Sequence, residues 1–277
     1  MSIEQATQTY RKFVESFPGM IPSGAIPLTI GSDQLTPLPH GNTIHLAVTS
    51  FPKSASRRLV DMFNSIPAMR EVNLNSSLRG VETDSLDSGF LCACHAENYI
   101  VHLHTHCYNT LPLFLQTFDV RMIILTRNIF DTLVSTMDHL DKNMHLAHIV
   151  NPPIRYREME ESDRLDFVID HVTPWLLKFH TSWVSAQKKG WVLSTWLDYE
   201  EVTKAPLDSL RKIFDELKLD DTEFDFDSMI NYSDKQKTNF NVGHSGRGLK
   251  TLSNQQVNRI RRIAAPFSEF PLEKIGL

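Results

Sequence analysis

The sequence predicts an α/β fold, a single domain with a central parallel β-sheet flanked by helices. Short apolar runs at 44–50, 99–104, 121–126 and 190–196 have strand character. Stretches with helical periodicity follow at 54–66, 109–117, 128–141 and 206–218. Strand and helix alternating in this order build a parallel sheet with helices on its faces. At 277 residues, 41% of them hydrophobic and 22% charged, the chain can bury a sizeable core.

The N-terminal MSIEQATQTYRKFVESF reads as a polar amphipathic helix without the apolar core of a signal peptide. Residues 18–43, rich in Pro, Gly and Thr, read as an irregular lead-in. The first strand, Ile44-His45-Leu46-Ala47-Val48, runs into SFPKSASRR at 50–58. Further on, 162–188 has helical periodicity with Pro174 as a kink or break. There is no internal repeat and no low-complexity segment.

Composition excludes several classes. A formal net charge of −5 provides no global basic field, so nucleic acid is not an expected partner. No apolar run reaches membrane-spanning length, so no membrane partner is expected either. Three cysteines in a chain of this length do not form a disulfide framework, and the expected location is cytoplasmic.

The segment after the first strand has the chemistry of an anion site. In open parallel sheets, ligands sit beyond the carboxyl ends of the strands. A loop there, turning into a helix, presents free backbone N–H groups under a favourable dipole. Ser54, Ala55 and Ser56 are small enough for close approach of a ligand, and Lys53, Arg57 and Arg58 carry positive charge. A Walker A loop requires glycines that this segment lacks, which disfavours an ATP- or GTP-dependent kinase. The plain alternative is a strand-to-helix turn with solvated basic residues.

A second segment bears on that choice. In RMIILTRNIFDTLVSTMDHL, Arg127 ends the third strand candidate and Ser135 follows on the next helix, with Asn128 and Asp131 between. This pattern resembles the 3′-phosphate segment of the PAPS-dependent sulfotransferases (PAPS is 3′-phosphoadenosine 5′-phosphosulfate). Phe51-Pro52-Lys53-Ser54-Ala55-Ser56-Arg57-Arg58 likewise resembles that family's 5′-phosphosulfate loop. VHLHTHCYNTLP at 101–112 resembles the strand whose histidine is the catalytic base, which places that role on His106. WLDYEEVTKAPLDSLRKIFDEL at 196–217 is similar to the segment that sets a tyrosine beside the adenine, here Tyr199. NFNVGHSGRGLKTLSNQQVNRI at 239–260 resembles the loop closing over the 3′-phosphate, with Arg247 and Gly248, followed by a helix capped by Ser253.

The resemblance implies a P-loop-like nucleotide-binding architecture, with 1–43 as helix and lead-in and 44–277 as the sulfotransferase domain. It implies PAPS as sulfuryl donor, no metal, and a small-molecule acceptor, with natural products one candidate class. Lys53, residues 54–58, Arg127, Ser135, Tyr199, Arg247 and Gly248 would hold the donor, and His106 and Lys53 would carry the chemistry. The acceptor pocket would come from 18–43, 76–95 and 140–180, the last containing Met144, His148, Tyr156 and Trp175.

This sequence also departs from the family. Ala55 replaces a glycine, so the loop is expected to avoid the left-handed conformation. Arg58 replaces a tryptophan against the adenine, where a guanidinium plane can stack instead. His104 stands where many members have lysine. Asn241-Val242-Gly243 or His244-Ser245-Gly246 occupies the place of Arg-Lys-Gly, and no segment near Lys250 matches the dimerisation motif.

Two other function classes are open. Cys92, Cys94, His95, His102, His104, His106 and Cys107 form a His/Cys cluster, and strand alternation would set the last three histidines on one face for zinc, as in a metal-dependent hydrolase. Their spacing matches no common closed zinc pattern. A nucleotide-binding protein without transferase activity would keep the anion loop and Arg127 but need neither Lys53 nor His106.

Overall fold

The computed structural model describes residues 12, 38, 41–72, 86, 88–108, 110–142, 149–222, 224–236 and 245–277. The N-terminal helix, most of the lead-in, and Met144, His148 and Asn241-Val242-Gly243 lie outside the described residues.

Five parallel strands form one sheet in the order β2-β3-β1-β4-β5. They are β1 His45–Ser50, β2 Met69–Glu71, β3 Asn98–Leu103, β4 Val120–Thr126 and β5 Ser194–Asp198. Between them run α1 Ser56–Asn64, α2 Ser88–Cys94, α3 Leu111–Thr117, α4 Ile129–Lys142 and α5 Glu161–Lys188. After β5 come α6 Tyr199–Lys204, α7 Pro206–Glu216, α8 Phe226–Lys235, α9 Gly248–Thr251 and α10 Asn254–Ala264.

Strand alternation divides the apolar side chains between two cores. Ala47, Met122 and Ile124 face the core made with α3, α4 and α5, where Leu133, Leu176 and Phe179 are fully buried. Leu46, Val48, Ile123 and Leu125 face the opposite core with α1 and α7, where Leu59, Leu210 and Ile213 are buried. Burying a Leu or Ile side chain contributes about 1.5–3 kcal/mol, so the two layers hold β1 and β4 rigid between them. Those are the strands whose carboxyl ends carry Phe51 and Arg127.

Three local expectations change. The last strand begins at Ser194 rather than 190, because the chain first wraps the end of α5. Gly190, at φ 66°, and Trp191 donate their N–H groups to the Gln187 and Ala186 carbonyls and are used as a helix cap. Pro174 does not break α5, which runs through it for 28 residues. The edge strand β2 has no apolar run, and only its pairing with β3 creates it. Among the described residues, no helix is long and apolar enough to cross a membrane.

Candidate active site

β1 delivers Phe51 into the core, where its N–H bonds the Leu125 carbonyl at 2.9 Å. The chain then turns over Lys53 and Ala55, both left-handed, at φ 62° and 67°. The expectation for Ala55 is thus overturned: an alanine takes the conformation that glycine favours, at a cost of about 1–2 kcal/mol for a Cβ-bearing residue. Two left-handed residues alternating with ordinary ones curl the peptide into a concave run of N–H groups. Ala55 precedes α1 and has no side chain to cap it, so the first-turn N–H groups are left for another acceptor.

Side chains around this loop divide by role. Ser54 Oγ donates to the Phe51 carbonyl at 2.7 Å and tightens the turn. Ser56 Oγ lies 2.9 Å from His102 Nε2. Arg57 does not bring its charge to the loop. Asp61, one turn on, and Glu71 of β2 both take it at 2.6 Å, and these partners raise its pKa. Arg58 donates to the Val202 and Thr203 carbonyls at 3.1 Å and to Asp234 at 2.8 Å, which pins its plane against the end of α6. Lys53 is the loop's own cation; burial first, then Arg127 and Lys142, lower its pKa, while Asp138 opposes the shift.

Arg127, buried at the end of β4, joins the parts. Its Nη1 donates to the Lys53 carbonyl at 2.9 Å, and its guanidinium lies 4.1 Å from the centre of the Tyr199 ring. Asn128 Oδ1 then caps α4 by accepting the N–H groups of Phe130 and Asp131. Ser135, buried, follows on α4. The Lys53 loop, the end of β4 and the start of α6 therefore meet at one guanidinium.

The C-terminal loop closes on the same helix. Asp131 accepts the Gly246 N–H at 2.7 Å and the Gly248 N–H at 2.5 Å. Arg247 reaches Asp138 at 2.7 Å, and Ser245 Oγ donates to Glu200. Gly248 packs so closely that an added Cβ would lie 2.5 Å from the Asp131 nitrogen and collide with the Phe130 carbonyl. Asp131 belongs to the sequence pattern around Arg127, whereas Asp138 and Glu200 were not singled out; the available signal for Asp138 was spacing, since Asp131, Ser135 and Asp138 share one face of α4.

The His102 and His104 rings lie 4.8 Å apart, but His106 does not join them. β3 ends at Leu103, so only His102 is in the strand. His104 Nδ1 is 2.8 Å from the Ser50 carbonyl. His106 is buried with Nε2 3.2 Å from the Trp175 carbonyl and its ring 4.7 Å from the Trp175 ring. Among the described residues, no group of three or more His, Cys, Asp or Glu is arranged to hold a metal ion. Cys92 is buried, and burial pushes the Cys107 thiol up to about 12. Of the expected acceptor residues, Trp175 is half-buried beside His106, whereas Tyr156 is fully buried in the core.

Solved structures share this architecture. Mouse sulfotransferase SULT7A1, complexed with PAP, matches at a TM-score of 0.57 and 15% identity, over 83% of this chain and 85% of that one. Sulfotransferase STF9 from Mycobacterium avium matches at 0.53 and 10%, over 83% and 78%. Retinol dehydratase, solved with androsterone and the inactive cofactor PAP, matches at 0.52 and 11%, over 84% and 82%. At these identities the likeness establishes the fold. No curated protein matches the sequence. The sulfotransferase domain family model matches residues 44–258, well over half of the chain and all of the strands and loops just described. The chain belongs to the PAPS-dependent sulfotransferase family.

Proposed function

We propose that this enzyme moves a sulfuryl group from PAPS to a hydroxyl or amine of a small-molecule acceptor, with His106 as the base. The observation that carries the reading is the Arg127 junction. One buried cation touches the Lys53 loop and the Tyr199 ring and starts the helix bearing Ser135. A nucleotide with phosphates at both the 5′ and 3′ positions suits that arrangement. The curled loop offers N–H groups of residues 54–57 to the 5′ side, and Arg127 and Ser135, with Arg247 and Gly248 opposite, serve the 3′ side. Tyr199 and the fixed plane of Arg58 would flank the base.

PAPS, when bound, supplies the activated sulfuryl group. The protein's part is positioning and charge. With Nε2–H donated to the Trp175 carbonyl, His106 keeps its lone pair on Nδ1, the atom that would take the acceptor proton. Lys53 would neutralise charge growing on the leaving group's bridging oxygen. Trp175 beside His106 favours an acceptor with an apolar or aromatic body next to its nucleophile.

The deciding experiment has two arms. Calorimetry should show 3′-phosphoadenosine 5′-phosphate (PAP) binding at one site without added metal, and an acceptor screen with sulfur-labelled PAPS should give a labelled product. Binding without turnover on any acceptor would favour a nucleotide-binding protein without transfer. Absence of PAP binding would end the proposal.

A further inference from the structure

Four consecutive residues of the C-terminal loop are held by three carboxylates: Ser245 by Glu200, Gly246 and Gly248 by Asp131, and Arg247 by Asp138. These contacts differ in kind. Asp131 meets backbone amides through both oxygens and is buried, so it fastens the loop to α4. Asp138 instead meets a side-chain cation, with both oxygens within 2.9 Å of Arg247 Nη2. The two side chains remain 33% and 19% exposed, a setting in which ion pairs exchange at modest cost.

Position makes Asp138 more than a surface partner. It lies one turn beyond Ser135 and one turn before Lys142 on the same face of α4, so a carboxylate interrupts the face assigned to the anion. Its charge also reaches Lys53, where it opposes the effect of Arg127 and Lys142. A carboxylate paired with one site cation and within electrostatic range of another attracts both when no ligand anion is present, and repels such an anion when it arrives.

We propose that Asp138 is a positioning residue that holds Arg247 in the ligand-free protein and yields it to the donor's 3′-phosphate, setting donor affinity by competition. This rests on the assignment of Arg247 to the 3′ side of the nucleotide. Arg–phosphate pairs are stronger than partly exposed Arg–carboxylate pairs, so the exchange runs toward the ligand. The carboxylate keeps the long guanidinium extended over the site but withholds part of its binding strength.

The test is calorimetric titration of PAP and AMP into wild type, Asp138→Asn, Arg247→Gln and the double variant. Wild type that fails to bind PAP refutes the functional reading itself, separately from this inference. Given wild-type binding, Asp138→Asn should bind PAP about 3- to 10-fold more tightly and AMP with a smaller gain. In the Arg247→Gln background the same change should alter PAP affinity by less than about 2-fold. Damage to the fold can only weaken binding, so a gain separates competition from structural support. Asp138→Ser serves equally if Asp138→Asn does not fold. PAP affinity equal to or below wild type in the neutral variant, or a gain that persists without Arg247, overturns the proposal.

Discussion

Arg127 Nη1 donates to the carbonyl oxygen of Lys53 at 2.9 Å, so the guanidinium assigned to the 3′-phosphate also braces the left-handed residue of the 5′ loop. Removing it should act at both ends of the nucleotide. Arg127→Ala is expected to weaken PAP binding by roughly 2–4 kcal/mol, the scale of a lost buried charge-assisted contact. Arg127→Lys should recover only part of this, because an ammonium cannot hold the Lys53 carbonyl and lie flat on Tyr199 together. Calorimetry on the two variants checks the order, and equal affinity of wild type for AMP and PAP would remove Arg127 from the 3′ role.

The lowered pKa of Lys53 fixes a pH dependence. Burial and the neighbouring cations disfavour its charged form, so the folded protein releases this proton more readily than the unfolded chain. Between the lowered value and the ordinary 10.5, the unfolded state binds more protons, and stability from this residue rises with pH. Below that window the charged lysine is a standing cost. Lys53→Met should therefore melt higher than wild type at neutral pH while losing PAP affinity and turnover. In wild type, PAP affinity should fall as alkaline pH discharges Lys53, with proton uptake on binding visible in buffers of different ionisation enthalpy. A lower melting temperature for Lys53→Met would contradict the assignment.

His106→Ala should leave PAP affinity near wild type and reduce turnover by at least ~10²-fold, the usual contribution of a positioned base. His104 is tied to Ser50 at the end of β1, away from the Trp175 carbonyl, so His104→Ala should lose much less. Single-turnover rates of the two variants decide between them. Near-normal turnover in His106→Ala with abolished turnover in His104→Ala would move the base by two positions.

Two glycines of the C-terminal loop should respond differently to alanine. Gly248→Ala places a methyl against the Phe130–Asp131 peptide and should cost about 1–3 kcal/mol, with weaker PAP binding as the loop lifts from α4. Gly246→Ala has open space for its methyl but sits at φ 79°, so its cost should be about 1–2 kcal/mol of backbone strain. Thermal melts with and without PAP measure both. A Gly248→Ala protein with wild-type stability and PAP affinity would show that the loop does not need its close seat on α4.

The site was unevenly legible. That Lys53, Ser54 and Ser56 share one strand-to-helix turn was readable, because strand, small residues and helix start are adjacent in the chain, and adjacency fixes local geometry. The same proximity misled for Arg57. It lies beside the loop in sequence, yet its side chain follows helical spacing to Asp61 and sheet pairing to Glu71. Ala55 also read the wrong way, since intrinsic preference argued against a conformation that packing around Phe51 and the Arg127 bond imposes. Asp131 showed as part of the Arg127 motif and Asp138 only as a polar position on a helix, and neither revealed its partner, which is more than a hundred residues away.

By itself, the sequence determined the alternation of strands and helices and the placement of the Lys53 loop and Arg127 at strand ends. It also carried the resemblance that named the family. Periodicity, small residues at a turn and motif order are properties of neighbouring residues, and the chain states them directly. Only the tertiary structure decided which cations face the site. Arg57 is bound elsewhere, Arg58 is pinned to the end of α6 and Asp234, Arg127 reaches across to Lys53, and His106 turns to Trp175 while the His102 and His104 rings stay 4.8 Å apart. Charge acts through space, so a guanidinium's role depends on which carboxylate or carbonyl the fold brings within a few ångströms, and sequence distance does not encode that.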